Sequence, residues 1–129
     1  MLNLILIGLG GALGSIFRYL VQGWVQSGAG IGFPAGTLAV NAAGCAAIGF
    51  LMTSMTGAWM VREEYRLALV VGVLGGFTTF SAFGYETLAL LRAGQFGLAL
   101  ANVAAQNVLG LAAAWLGYRL ALLWPGPAA

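Results

Sequence analysis

The chain has 129 residues, 61% of them hydrophobic and 6% charged, against about 25% charged in an ordinary soluble domain. A formal net charge of +2 is too small and too scattered for a nucleic-acid surface. With no histidine, lysine or aspartate and a single cysteine, the chain has no Ser/His/Asp set, no internal disulfide and no cysteine/histidine metal site. This composition predicts an all-α membrane protein, a single four-helix transmembrane domain over residues 1–129.

The first apolar stretch, about residues 2–21, is near the ~20 residues needed to cross a bilayer. It has no basic leader and three more apolar stretches follow, so it reads as a retained helix rather than a signal peptide. Gly8, Gly10 and Gly14 imitate a dinucleotide-binding turn. That motif, however, wants its third glycine where Leu13 stands and an acid about 20 residues on, and Glu63 is the first acid. Gly10 and Gly14 are better explained as a small-xxx-small pair for close helix packing. A Gly/Ser-rich link is expected over residues 22–34.

The second stretch covers about residues 35–55. Thr37, Asn41, Gly44 and Ile48 fall on one face of it at helical spacing. Cys45 beside them reads as a small packing residue. A charged link, residues 56–66, separates this stretch from the third, about residues 67–91.

The third stretch is interrupted by Gly75-Gly76-Phe77-Thr78-Thr79-Phe80-Ser81-Ala82-Phe83. A bilayer core offers no water to backbone groups freed by such a break, which survives only where protein, a pore or a bound ion satisfies them. Phe80 and Phe83 share a face after the break. Aromatic edges are positive and can meet an anion, although packing alone would also explain both rings. Glu86 is the one acid inside a span. An intramembrane carboxylate is a functional hypothesis by default, the alternative being solvation at the interface.

The fourth stretch runs over about residues 97–123 after a short link, residues 92–96. Asn102, Gln106 and Gly110 share a face, with Asn107 beside it. Such amides either line a path or bond across helices at about 0.6 kcal/mol each. Trp24, Trp59 and Trp124 lie near span ends, as an aromatic belt requires, whereas Trp115 lies deeper without an evident reason.

Four spans put Arg62, Arg66 and Arg119 on one side and Arg92, with Arg18 near the end of the first span, on the other. That near tie under the positive-inside rule is what a chain inserting in both orientations needs. A proton-driven exporter would want a central carboxylate, and the first helix, where four-helix drug exporters of the small multidrug resistance type carry a glutamate, has none. Hydroxyls, amides and ring edges instead suit a small ion that is partly stripped of water without being trapped. A proton-coupled small-ion exporter and a non-conducting membrane scaffold, with the polar stripes as glue, remain as alternatives.

Nearly the whole chain resembles the Fluc/CrcB family of fluoride ion channels. The resemblance is carried by Gly10-Gly11-Ala12-Leu13-Gly14 with Arg18-Tyr19, by Gly36-Thr37-Leu38 with Val40-Asn41 and Gly44, and above all by residues 75–83 followed by Glu86. It implies a dual-topology antiparallel homodimer in the inner (plasma) membrane, exporting cytoplasmic fluoride passively through two pores. It implies a structural Na+ at the dimer centre, held by the backbone carbonyls of Gly75 and Thr78. By motif position, Phe80, Phe83 and Asn41 match pore residues, and Thr79, Ser81 and Thr37 match hydroxyls of the polar path. Arg18, Glu86, Asn102 and Gln106 are further candidates. In the fourth helix, Asn102, Gln106 and Gly110 stand where the family pattern is richer in hydroxyls.

The arginine tie generates a direct expectation. A tag on one terminus will be accessible from both faces of the membrane, as read by protease protection in intact and inverted vesicles. Accessibility from one face alone would refute insertion in both orientations.

Overall fold

A computed structural model describes residues 1–30, 32–56 and 61–124. In chain order it comprises α1 (Leu2–Ala29), α2 (Ala35–Thr56), α3 (Glu63–Leu67), a π-helical segment (Ala68–Leu74), α4 (Gly75–Phe77), α5 (Phe80–Arg92) and α6 (Phe96–Leu123). Among the described residues, four stretches are long and apolar enough to cross a membrane: Leu2–Ala29, Ala35–Met55, Glu63–Arg92 and Phe96–Leu123. The third is made of four elements laid end to end, from α3 to α5.

Two expected boundaries move. The link expected at residues 22–34 begins only at Gly30 (φ 79°), because α1 continues through Gln22 and Gln26 to Ala29. Polar side chains do not end a helix; they only end its apolar character. The third span is helical from Glu63, four residues before the expected start. Trp59 lies outside the described residues. Between α5 and α6 the chain turns on Gly94 (φ 72°). There Gly94 N–H donates to the Leu91 carbonyl and Gln95 N–H to that of Leu90, a helix end closed by paired backbone bonds.

The interior is small and polar, and the large apolar side chains face outward. Val40, Thr37 and Asn102 are the largest side chains fully buried, while Leu9, Phe17, Leu100 and Leu111 are among the many exposed ones. Lipid tails are as apolar as leucine, so burying leucine between membrane helices gains little, and close backbone approach holds the bundle instead. The pair Gly10 and Gly14 does this as expected. A Cβ on Gly10 would lie 2.5 Å from the Ala68 carbonyl oxygen, and one on Gly14 would run into the Val73 carbonyl. From the other side, a Cβ on Gly72 would lie 2.8 Å from the Ile7 carbonyl oxygen. A second crossing, between α2 and α6, is made by Gly49 against the Ala114 carbonyl and Gly117 against that of Ala46.

The π-helical segment lies at the first of these crossings. Gly75 N–H reaches back five residues to the Val70 carbonyl, so the turn is wider than an α turn. The exposed ring of Trp115 is stacked under the Arg119 guanidinium, 5.3 Å from centroid to Cζ.

The crossing makes Gly14 intolerant of a single methyl group. Gly14→Ala is expected to cost about 1–3 kcal/mol, the range for overpacking. Gly23→Ala meets nothing within 4 Å and should be neutral or slightly stabilising through helix propensity. Thermal unfolding of the two variants in detergent checks the contrast; equal midpoints would contradict the packing assignment.

A candidate ion path around the helix break

The break is narrower than the glycine-rich run suggests. Gly75 and Gly76 are still helical, and only Thr78 (φ −85°, ψ 155°) and Thr79 (φ −150°, ψ 111°) are extended. Gly76 serves the α1 crossing instead, since a Cβ there would lie 2.5 Å from the Gly11 carbonyl oxygen. Gly44 makes room for the break, because a Cβ on it would strike the Thr78 methyl group.

Asn41 satisfies the freed backbone. Thr79 N–H donates to Asn41 Oδ1 at 2.8 Å, and Asn41 Nδ2 donates to the Thr79 carbonyl at 3.0 Å. The side-chain amide thus pairs with one residue's N–H and C=O as a strand neighbour would. Thr79 Oγ1 caps α5 by accepting from Ala82 N–H at 3.2 Å, and shares a hydrogen bond with Ser81 Oγ at 3.2 Å. In an unbroken helix, Thr79 N–H would bond the Gly75 carbonyl and Ala82 N–H that of Thr78. Both donors are committed elsewhere, which leaves these two carbonyls without their helical partners. Hard cations take such oxygens as ligands, so the residues present fit the sodium site implied by the resemblance.

A cleft of about 400 Å³ opens beside the break, lined by Asn41, Thr79, Phe80, Phe83 and Gln106 among others, with no charged side chain. The rings of Phe80 and Phe83 meet edge to face, with centroids 5.2 Å apart, and Phe80 is 81% exposed. Asn41 Nδ2 uses its second hydrogen on Gln106 Oε1 at 3.1 Å. Gln106 is thereby drawn into the lining, whereas Asn107, also in the lining, turns its Nδ2 back to the Val103 carbonyl at 2.7 Å.

Thr37 and Glu86 sit apart from this cleft, toward the end of the bundle. Thr37 Oγ1 donates to Glu86 Oε1 at 2.5 Å and accepts from Gln22 Nε2 at 3.0 Å. Glu86 also faces a second hollow of about 410 Å³, shared with Gln22, Gln26, Phe33 and Gln95. Glu86 lies six positions after Phe80 on α5, roughly 9 Å of helix rise. Asn41, Thr37 and Glu86 therefore form a polar line from the break toward the hollow.

Two candidates lie elsewhere. Asn102 is fully buried and donates to Thr87 Oγ1 at 3.0 Å, bonding α6 to α5; it is not among the side chains lining the cleft. Arg18 is not among them either, and its Nε is buried without a partner among the described residues. Gln22 and Gln26 fall in the segment whose composition predicts a link, yet they sit on α1. Their four-residue spacing, continued from Arg18, was the available signal.

The family described as CrcB-like protein, Camphor Resistance (CrcB), matches residues 5–118. The chain belongs to this family. It is 50% identical over 117 residues to a protein of Solibacter usitatus, covering 91% of this chain and 96% of that one. It is 55% identical over 117 residues to one of Thermus thermophilus, covering 90% and 91%. It is 47% identical over 117 residues to one of Geobacter metallireducens, covering 91% and 94%. All three relatives bear the name fluoride-specific ion channel FluC. With four spans and this membership, the chain is a multi-pass protein of the plasma membrane.

The two caps of the break should differ in worth. Asn41→Leu strands both an N–H and a carbonyl, at about 1–3 kcal/mol for each buried group. Thr79→Ala loses one N-cap, about 1 kcal/mol, and Thr79→Ser should keep it. Unfolding of the purified variants in detergent with dodecyl sulfate ranks them; Thr79→Ala as damaging as Asn41→Leu would refute the ordering.

Proposed function

We infer that the chain is a fluoride channel, not an enzyme, and lets fluoride cross the membrane passively. The observation that carries this reading is the cleft at the break: ring edges, hydroxyls and amides in mid-span, with no fixed charge. Fluoride holds its water tightly. A fixed cation would trap it, and a purely apolar wall would exclude it. Successive weak donors replace the shell a part at a time, which is the condition for conduction. Phe80 and Phe83 offer edge hydrogens, Thr79, hydrogen-bonded to Ser81 outside the lining, offers a hydroxyl, and Asn41 and Gln106 offer amides. The polar line through Thr37 continues toward the hollow at Glu86. The names of the relatives support fluoride as the ion.

The functional unit in this reading is an antiparallel homodimer with two pores. The cleft is open on one side, with Phe80 largely exposed, and the arginine tie permits both orientations. A two-fold axis through the break would bring together Gly75 and Thr78 carbonyls from each chain, four oxygens in all. They would hold a structural Na+, which supplies positive charge to fix the two breaks against each other and is not conducted.

Fluoride efflux from liposomes, read with a fluoride electrode, tests the reading. Wild-type protein should release fluoride with or without a proton gradient. Phe80→Ile and Phe83→Ile, which keep an apolar wall but lose the aromatic edges, should each cut the flux at least tenfold while the dimer still elutes intact. Protein prepared with a bulky organic cation in place of Na+ should lose the dimer. Flux that depends on the proton gradient would indicate a coupled exporter, and no flux a scaffold. Wild-type flux in both isoleucine variants would make the rings mere packing, and an intact dimer without Na+ would remove the ion's structural role.

A further inference from the structure

We propose that Gln26 is a positioning residue for the mouth of the path: its side-chain amide, carried by α1, caps α2 and so holds Thr37 against Glu86. The proposal rests on the fluoride-channel reading and adds to it a residue far from the break that acts on the path through Thr37.

The first turn of an α-helix leaves its N–H groups without helical partners, and the residue before the helix commonly supplies a side-chain oxygen to one of them. α2 has no such residue. Pro34 stands immediately before Ala35, and its ring carries no acceptor. The Pro34 carbonyl accepts from Leu38 N–H at 3.2 Å. Gly36 N–H is the second of the helix, a position that a cap ordinarily serves. Gly36 is buried, so this N–H calls for a partner inside the protein. That partner is Gln26 Oε1, at 3.1 Å. α2 is therefore capped by a side chain of the neighbouring helix.

The nitrogen of the same amide fixes its direction. Gln26 Nε2 donates to the Gly30 carbonyl at 2.7 Å and to the Phe33 carbonyl at 3.1 Å. A turned amide would set its NH2 against Gly36 N–H and its oxygen against two carbonyls. One side chain thus joins the end of α1, the connection and the start of α2 into a single corner. Gln22, one turn earlier on α1, closes the corner tightly, since a Cβ on Gly36 would strike the Gln22 carbonyl. Thr37 follows Gly36 directly and is buried. Its hydroxyl accepts from Gln22 Nε2 and donates to Glu86 Oε1. So short a side chain reaches both partners only while the first turn of α2 stays in place. Gln26 sets that turn, and Thr37 carries the setting to α5.

Two readouts on the assembled dimer in lipid test the assignment: hydrogen exchange of the peptide over residues 33–40, followed by mass spectrometry, and fluoride efflux counted per dimer. Gln26→Met keeps the length of the side chain and loses all three hydrogen bonds. Exchange should quicken about fivefold, the weight of one helix cap. Fluoride efflux should fall about threefold, within the range for a residue that acts through a contact network. Pro34→Ser gives α2 a cap of its own. In that background Gln26→Met should cost little in either readout, whereas a residue that only fills space at the corner would cost as much with the serine as without it. If Gln26→Met does not assemble, Gln26→Asn, which withdraws the amide by one carbon, takes its place. Unchanged exchange, wild-type efflux in an assembled Gln26 variant, or an efflux loss that Pro34→Ser does not relieve would overturn the inference. Absence of fluoride efflux in the wild-type protein would instead remove the channel reading on which it rests.

Discussion

Everything in this structure that concerns ions follows from one constraint. A backbone N–H or C=O inside a bilayer must find a partner within the protein. Two extended residues, Thr78 and Thr79, release such groups in mid-span. Asn41 takes two of them at Thr79, and the Thr79 hydroxyl caps the helix that resumes. The groups left over, the carbonyls of Gly75 and Thr78, keep acceptor capacity at the edge of the cleft. A helix interruption therefore becomes a set of oriented dipoles, with no charged residue needed to create polarity there.

The glycines do the complementary work of bringing the helices close enough for Asn41 to reach. Backbone-to-backbone crossings fix α1 against the π-helical segment and α2 against α6. The widened π turn falls at the first crossing, and the short α4 separates it from the break. Gly44 then leaves the space that Thr78 needs. In a protein whose large side chains face lipid, shape complementarity of this kind carries the stability that a hydrophobic core carries in water.

Much of this was legible in the sequence, and the failures have physical reasons. Four spans, the interrupted third one and the packing pair Gly10 and Gly14 follow from hydropathy and spacing. Glycine signals freedom and so spreads the expected break over a run of nine residues; here Gly76 supplies closeness, Gly75 stays helical, and two threonines make the turn. Apolar character stops near Val21, yet Gln22 and Gln26 continue the helix. Asn102 and Gln106 share a helical face, but one bonds Thr87 and the other Asn41. Only the tertiary arrangement distinguishes helix glue from cleft lining. The π segment, which lies at the crossing with α1, has no sequence signature.

The length of α1 has a consequence for where the path meets water. Its 28 residues make a rod of about 42 Å, against a hydrocarbon slab of about 30 Å. The apolar part, ending near Val21, matches the slab, so the final two turns stand as a parapet at headgroup level. Gln22 and Gln26 form its inner wall, and Glu86 looks into the same hollow. The hollow is thus a porch whose floor lies at the lipid boundary. Membrane thickness then becomes a variable of the protein: a thicker bilayer drowns the parapet in acyl chains, and a thinner one lifts the porch clear.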